Sequence, residues 1–280
     1  GGLESGLEAL EAFADVGGGG VQDKWIDVPL NDTWSVLMAQ VPGAGAKFLD
    51  VMRSQSEVDE ETMEAYHSGE AIWPGAVIFS RYLCIDPPIV PLAGKVVIEL
   101  GAGLALPSVT AARLGASRVL VQDKMDAPLQ EAIESGIKND VADKLVTLRS
   151  DWRDLPTRLL SATEDSLRQF HDADVILGAE ILFDEQAAVA VAETLGQLLR
   201  RKEQVAYLSD PYKREHRKAF AEACRDNGLD VQEKEIVTWE PEWDNRLETE
   251  EEWVCRWLRH LRDRGGVGLR AATSTGRSLD

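Results

Sequence analysis

Residues 96–107 read VVIELGAGLALP: an apolar run broken by one carboxylate, then Gly-Ala-Gly, then a proline. A short run rich in Val and Ile predicts a buried strand. Two glycines two apart directly behind it let the backbone turn sharply and approach a ligand closely. In an open α/β sheet the ligand crevice lies beyond the carboxyl ends of the strands, which is where Glu99, Gly101 and Gly103 fall. The stretch therefore predicts a strand followed by a nucleotide-type cofactor loop, and LPSVTAARLGA supplies the helix after it.

The same alternation continues on both sides. Pro74 opens a helical stretch, PGAVIFSRYL, with proline at a position a first helical turn accepts. Further strands are expected at SRVLVQD, KLVTLRSDW, ADVILGAEILF (173–183) and EQVAYLSD (203–210). Helices are expected at 127–140 (APLQEAIESGIKND), at EQAAVAVAETLGQLLRR and at REHRKAFAEACRDNG. LDVQEKEIV and EEWVCRWLRHL complete seven strands, and no helical pattern separates that last pair. The expectation is an α/β fold: a Rossmann-like, doubly wound seven-stranded sheet with its last strands antiparallel.

Upstream, residues 3–15 carry a helical period that GGGG at 17–20 ends, and KWIDVPL and TWSVLMAQV flank Asn31-Asp32 as a hairpin would. This divides the chain into a small N-terminal extension (1–65), a cofactor-binding domain (66–263) and a small, polar, disordered tail (264–280). The chain opens Gly-Gly without a methionine, which leaves a preceding segment open.

Composition excludes several classes. The 280 residues carry 49 acids against 30 bases, a formal net charge of −19, so direct nucleic-acid binding is not expected. A basic protein partner suits that charge, and so does mere solubility. Cys84, Cys224 and Cys255 are isolated, which points to a reducing compartment, intracellular and cytoplasmic or nuclear, and away from disulfides or zinc. The four histidines are scattered, and no run of about 18 apolar residues suggests a membrane span. A monomer is expected.

The loop also narrows the cofactor. A dinucleotide fingerprint needs a third glycine where this chain has Leu106, and no Gly-Lys-Ser/Thr follows to cradle phosphates. Asp123, at the end of the second strand, is placed to accept from both hydroxyls of a ribose. A nucleoside held without a phosphate site fits S-adenosyl-L-methionine. Asp151-Trp152 ends the third strand, where an acid can take an adenine amino group and an indole can lie on the base. Trp73 can close the other end. Each tryptophan taken singly also reads as core packing.

GEAIWPGAVIFSRYL, VVIELGAGLALPSVTAARLGASRVLVQD, the SDW at 150–152 and the GAEILF at 178–183 together resemble the seven-β-strand methyltransferases. More closely they resemble the protein-lysine methyltransferase-like (nicotinamide N-methyltransferase-like, or family-16) group, over roughly residues 66–240. GAGLALP is similar to the member linked to histone arginine methylation. The resemblance implies that Glu99, Gly101 and Gly103 line the methionine end of the cofactor and that Asp123, with Lys124 beside it, holds the ribose. It further implies that Asp151 and Trp152 frame the adenine, with Trp73 and Ala179 at the cofactor's side.

The fourth-strand motif of the group, Asp-x-x-Tyr or Asp-x-x-Phe at the acceptor mouth, reads Glu180-Ile181-Leu182-Phe183 here. The implied activity is methylation of a lysine side chain in a protein. Arginine, a small-molecule amine and an inactive cofactor-binding scaffold are the alternatives, the last motivated by that departure. For a lysine acceptor, Glu180 would attract and orient the cation and Phe183 would form an aromatic wall. Asp184 and Glu185 are adjacent and fit as caps of the next helix. Tyr212 is a further candidate for the rim. WEPEWDNRLETEEEW (239–253) reads either as a grip for a basic peptide or as a solvated hairpin loop.

Overall fold

The computed structural model describes residues 24–31, 33, 35–39, 68–70, 72–211, 216–236 and 267–274. A hairpin, β1 (Trp25–Pro29) and β2 (Ser35–Ala39), precedes α1 (Pro74–Leu83). Then follow β3 (Val96–Leu100), α2 (Leu106–Arg113), β4 (Arg118–Asp123), α3 (Asp126–Lys138) and β5 (Leu145–Arg149). Two short helices, α4 (Leu155–Ser161) and α5 (Asp165–Arg168), lead to β6 (Val175–Ala179) and α6 (Glu185–Leu198). The chain continues through β7 (Val205–Pro211), α7 (Arg217–Asp226), β8 (Leu229–Ile236) and β9 (Val267–Ser274). The seven-stranded sheet runs in the order β5-β4-β3-β6-β7-β9-β8.

Strands β3 to β7 are parallel, and β9 is antiparallel to both β7 and β8. The chain winds from β3 to β4 and β5 on one side, then crosses to β6 and β7 on the other. The switch point of the sheet therefore lies at the end of β3, where the glycine loop starts.

Strand periodicity splits the core into two layers. Val97, Val119, Val121, Val175 and Leu177 face one layer with α1, α2 and α3. Ile98, Leu100, Leu120, Leu148 and Ile176 face the other, with α4 and α6. Register pairs Val97 with Val119 and with Val175, so each layer is one continuous row of alternate residues. Both faces are covered, which is why these strands read as unbroken apolar runs.

The hairpin is part of the first layer. Val28, Leu30, Val36 and Met38 are buried in it. The hairpin's backbone is also tied to the helices. Ala39 N–H donates to Ser135 Oγ (2.8 Å), Leu37 exchanges hydrogen bonds with the Asn139 amide, and Arg81 Nε donates to Pro29 O (3.0 Å). A two-stranded hairpin is marginal alone. Here its exposed edge and apolar face are both used.

One expectation needs correction. β9 falls inside the tail expected to be disordered. Its sequence, VGLRAATS, has one charge and many small residues, a composition that reads as flexible. Yet β7 and β8 flank it, and hydrogen bonds from both sides order its backbone. The stretch holding α4 and α5 carried no expectation at all. The last strand expected at EEWVCRWLRHL lies outside the described residues, as do the 3–15 helix, Tyr212 and the 239–253 stretch. Among the described residues no helix is long and apolar enough to cross a membrane, and no cluster of His, Cys, Asp and Glu could hold a metal ion.

Candidate active site

The glycine loop is a tight coil. Gly101 (φ 57°), Gly103 (φ 50°) and Ala105 (φ 63°) all adopt the left-handed conformation. At Gly101 the space is also closed: a Cβ would stand 2.8 Å from Ile181 Cγ2 and 3.1 Å from Trp152 Cζ3. Three successive loop amides donate to the end of β4. Gly101 N–H reaches Gln122 Oε1 (3.1 Å), Ala102 N–H the Gln122 carbonyl (2.9 Å), and Gly103 N–H Asp123 Oδ2 (2.8 Å). Gln122 Nε2 in turn donates to the Ser150 carbonyl, so one buried side chain joins the loop to the end of β5.

Asp123 is buried, and its Oδ1 accepts from Met125 N–H (3.0 Å). Burial pushes its carboxyl up from the usual range, opposed by the amides of Gly103, Met125 and Lys124 and by the Lys124 charge. The 3₁₀ turn Ser68–Glu70 lies across this point. A Cβ at Gly69 would be 3.5 Å from Gly103 Cα and 3.8 Å from Asp123 Oδ2.

Glu99 is tied to the helix that follows the loop. It is 1% exposed, and its Oε2 accepts from the Ser108 amide (2.8 Å) and the Ser108 hydroxyl. Its carboxylate thus binds the first turn of α2 inside the fold. Burial pushes its pKa up to about 8, against the pull of the Ser108 bonds.

At the end of β5, Asp151 turns to Arg153, accepting from its amide (2.9 Å) and pairing with its guanidinium (3.4 Å). The Trp152 ring lies at the Gly101 position and neighbours Phe183, with centroids 6.2 Å apart and planes at 43°. Two polar atoms in this region, Ser150 Oγ and Trp152 Nε1, are buried without a hydrogen-bond partner among the described residues.

At the end of β6, Ala179 is half-buried and paired with Ser209. Glu180 is left-handed (φ 56°), and its amide donates to the Ser209 carbonyl (2.8 Å). Its Oε1 accepts from the Gly75 amide at 2.6 Å, in the first turn of α1 just after Trp73 and Pro74. Ile181 and Leu182 are buried, whereas Phe183 is 47% exposed. Asp184 caps α6, its Oδ1 accepting from Ala187 N–H (2.6 Å).

The structure thus brings Gly101, Trp152, Ile181 and Phe183 together, and Gly103 with Asp123. It holds Glu99 and Asp151 on partners of their own. Gln122, Gly69 and Gly75 carried no expectation. Gly75 had a weak signal, a glycine in the first turn of a helix, while a glutamine before Asp123 gave none.

Residues 53–227, well over half of the chain, match the sequence model of the family described as lysine methyltransferase. The chain is 28% identical over 189 residues to the protein N-terminal and lysine N-methyltransferase EFM7 of Candida glabrata, covering 65% of this chain and 72% of that protein. It is 27% identical over 143 residues to the histone-arginine methyltransferase METTL23 of Mus musculus, covering 50% and 52%. Among solved structures, it is similar in fold to SMU.776, described as a methyltransferase complexed with SAH. The TM-score is 0.50 at 12% identity, over 72% of this chain and 50% of that one.

Proposed function

Because the chain belongs to the lysine methyltransferase family, we propose that it moves a methyl group from S-adenosylmethionine to the side-chain amine of a lysine in a protein. One observation carries this reading. The Trp152 ring touches the Gly101 position of the loop on one side and neighbours Phe183 at the mouth on the other. On this reading the donor end and the acceptor end share one side chain. An in-line displacement needs that closeness, because the reacting atoms must be held about 3–3.5 Å apart.

The residues fit this cofactor. The amides of 101, 102 and 103 are taken by Gln122 and Asp123, so the loop has no row of N–H groups to offer a pyrophosphate. Asp123 accepts at both oxygens yet a carboxylate has about four acceptor sites, which leaves room for ribose hydroxyls. Ser150 Oγ and Trp152 Nε1 are buried polar atoms that a polar ligand group would satisfy. Lys124, Asp151, Trp73 and Ala179 are the further residues that this reading assigns to the cofactor, and Glu99 holds the first turn of α2. When bound, the cofactor supplies an electrophilic methyl group on a sulfonium.

The chain's own task is to receive, orient and dry the amine. A lysine with a reference pKa near 10.4 must lose its proton to attack, which at pH 7 costs roughly 4.6 kcal/mol. Withdrawal from water against Phe183 and Trp152 lowers that cost. Glu180 draws the cation to the mouth and aligns it, and because a carboxylate favours the charged amine it orients rather than deprotonates. The net charge of −19 favours a basic protein as the partner, in the cytoplasm or nucleus.

An arginine acceptor is favoured by the METTL23 likeness alone. Its pKa above about 12.5 calls for more negative charge, and Asp184 beside the mouth already caps a helix. Incubation with methyl-labelled S-adenosylmethionine and a cell extract separates the cases. Label recovered as methyl-lysine after hydrolysis of protein is the expected result. Label in arginine, or only in the small-molecule fraction, would overturn it.

A further inference from the structure

We propose that Glu180 and Gly75 are a matched pair of positioning residues: a glutamate that caps helix α1 from 105 residues away, and a glycine that must lack a side chain to let it. The proposal rests on the placement of Trp73 beside the cofactor. It changes what Glu180 is for, adding a structural tie to its charge at the mouth.

Among the described residues, the N-cap side chain makes no capping hydrogen bond to the first turn of α1. Its N-cap residue is Trp73, whose indole is a donor only, and Pro74 behind it has no N–H. Gly75 therefore carries the first peptide N–H of the helix, and Glu180 Oε1 takes it at 2.6 Å. The same residue is held a second time, where Ser209 Oγ donates to the Gly75 carbonyl (3.4 Å). Both grips come from the ends of β6 and β7, and so fix the start of α1, with Trp73, to the acceptor side of the sheet.

The fit has no slack. A Cβ at position 75 would lie 2.5 Å from both Glu180 Cγ and Oε1, and 2.9 Å from Cδ. Glu180 is itself in a left-handed conformation, a strain that functional sites hold when the surroundings enforce it. Its backbone is anchored by the 2.8 Å bond to Ser209, so the side chain has little freedom to retreat. An aspartate, one methylene shorter, would fall short of the Gly75 amide but would vacate the space a Cβ needs. Glutamate with glycine fills this corner, and the pairing predicts that aspartate with alanine would fill it too.

The test measures binding of S-adenosylhomocysteine by calorimetry, thermal unfolding, and methyl transfer with separate KM values for cofactor and acceptor. Gly75→Ala is expected to weaken S-adenosylhomocysteine binding about tenfold or more, and Glu180→Asp by about threefold. Gly75→Ala combined with Glu180→Asp is expected to return to within about threefold of Glu180→Asp alone, a coupling that independent sites do not show. If Gly75→Ala fails to fold, recovery of a folded protein by the added Glu180→Asp supports the pair in the same way.

Glu180→Gln separates the tie from the charge, since its amide oxygen still accepts from Gly75. It should bind S-adenosylhomocysteine more tightly than Glu180→Asp does, while Glu180→Ala should weaken binding at least as much as Glu180→Asp. A raised acceptor KM in Glu180→Gln then reports on lysine orientation, so that reading fails or survives independently. Additive effects of the two substitutions, or a Gly75→Ala protein that binds and melts like the wild type, would overturn the pair.

Discussion

The strands on either side of β3 end alike and work differently. β4 ends in Asp123 and β6 runs into Glu180, and each carboxylate turns back to accept a backbone amide. Asp123 takes an amide of its own βαβ unit, 20 residues away, while Glu180 reaches across 105 residues to the start of α1. The first bond shapes the glycine loop. The second ties a remote helix to the end of β6. The same chemistry makes a local motif at one strand end and a tertiary latch at the other.

Glu99, at the end of β3 between them, sharpens the contrast because it is the most buried of the three and its bonds are the most local. Its pKa is pushed from 4.5 to about 8, so the folded protein holds that proton more tightly than the unfolded chain. The stability this contributes is complete below about pH 4.5 and is lost as pH rises through about 8, at roughly 1.4 kcal/mol per pH unit. Glu99→Gln cannot ionise. In urea unfolding from pH 6 to 9 the wild type should lose stability relative to the variant by up to a few kcal/mol. Parallel pH profiles would mean that the Ser108 bonds, rather than burial, govern this carboxylate.

Asp123→Ala removes the acceptor of Gly103 and of Met125 and leaves buried N–H groups unpaired. Each such loss is worth about 1–3 kcal/mol, so cofactor affinity should fall about a hundredfold by calorimetry. Asp123→Asn, which keeps one carbonyl oxygen, should fall by about a tenth as much. If both leave affinity untouched, the β4 end is a scaffold for the loop and the ribose is held elsewhere.

What the sequence made legible follows the same division. Glycine spacing, the following acid and the alternating apolar runs placed the loop, Asp123 and the parallel strands, because each is set within one strand-turn-helix unit. The hairpin was legible from two runs around Asn31. Contacts between units were not. Nothing in the residues about Trp152 says that its ring comes to lie at the Gly101 position and beside Phe183, since that placement is chosen by packing between units. Nor does local sequence tie Gly75 to Glu180. β9 was hidden for a related reason: a central strand whose bonds all come from its neighbours needs no strong propensity of its own.

Gln122 tests how far the loop half depends on one residue. Its amide accepts from Gly101 N–H and donates to the Ser150 carbonyl while fully buried. Gln122→Ala should destabilise the fold by about 2 kcal/mol in denaturant titrations, and weaken S-adenosylhomocysteine binding by about tenfold. Gln122→Glu should restore the bond from Gly101 but place a carboxylate against the Ser150 carbonyl, so it should not rescue. A rescue by glutamate would show that the link to β5 is dispensable.

Phe183 gives the smallest effect and the cleanest separation of the two halves. Its ring is nearly half exposed, so truncation removes little core packing, and its tilted pairing with Trp152 is worth about 0.5–1.5 kcal/mol. Phe183→Ala should therefore leave the melting temperature within a few degrees of the wild type and S-adenosylhomocysteine affinity within about threefold. The loss should fall on the acceptor: a KM for the protein substrate raised about three- to tenfold, in line with a cation–π wall at a partly exposed site. Phe183→Tyr keeps the ring and should restore the KM. If Phe183→Ala instead weakened the cofactor and spared the acceptor, Trp152 would be transmitting the change to Gly101, and the mouth and the loop would have to be treated as a single site.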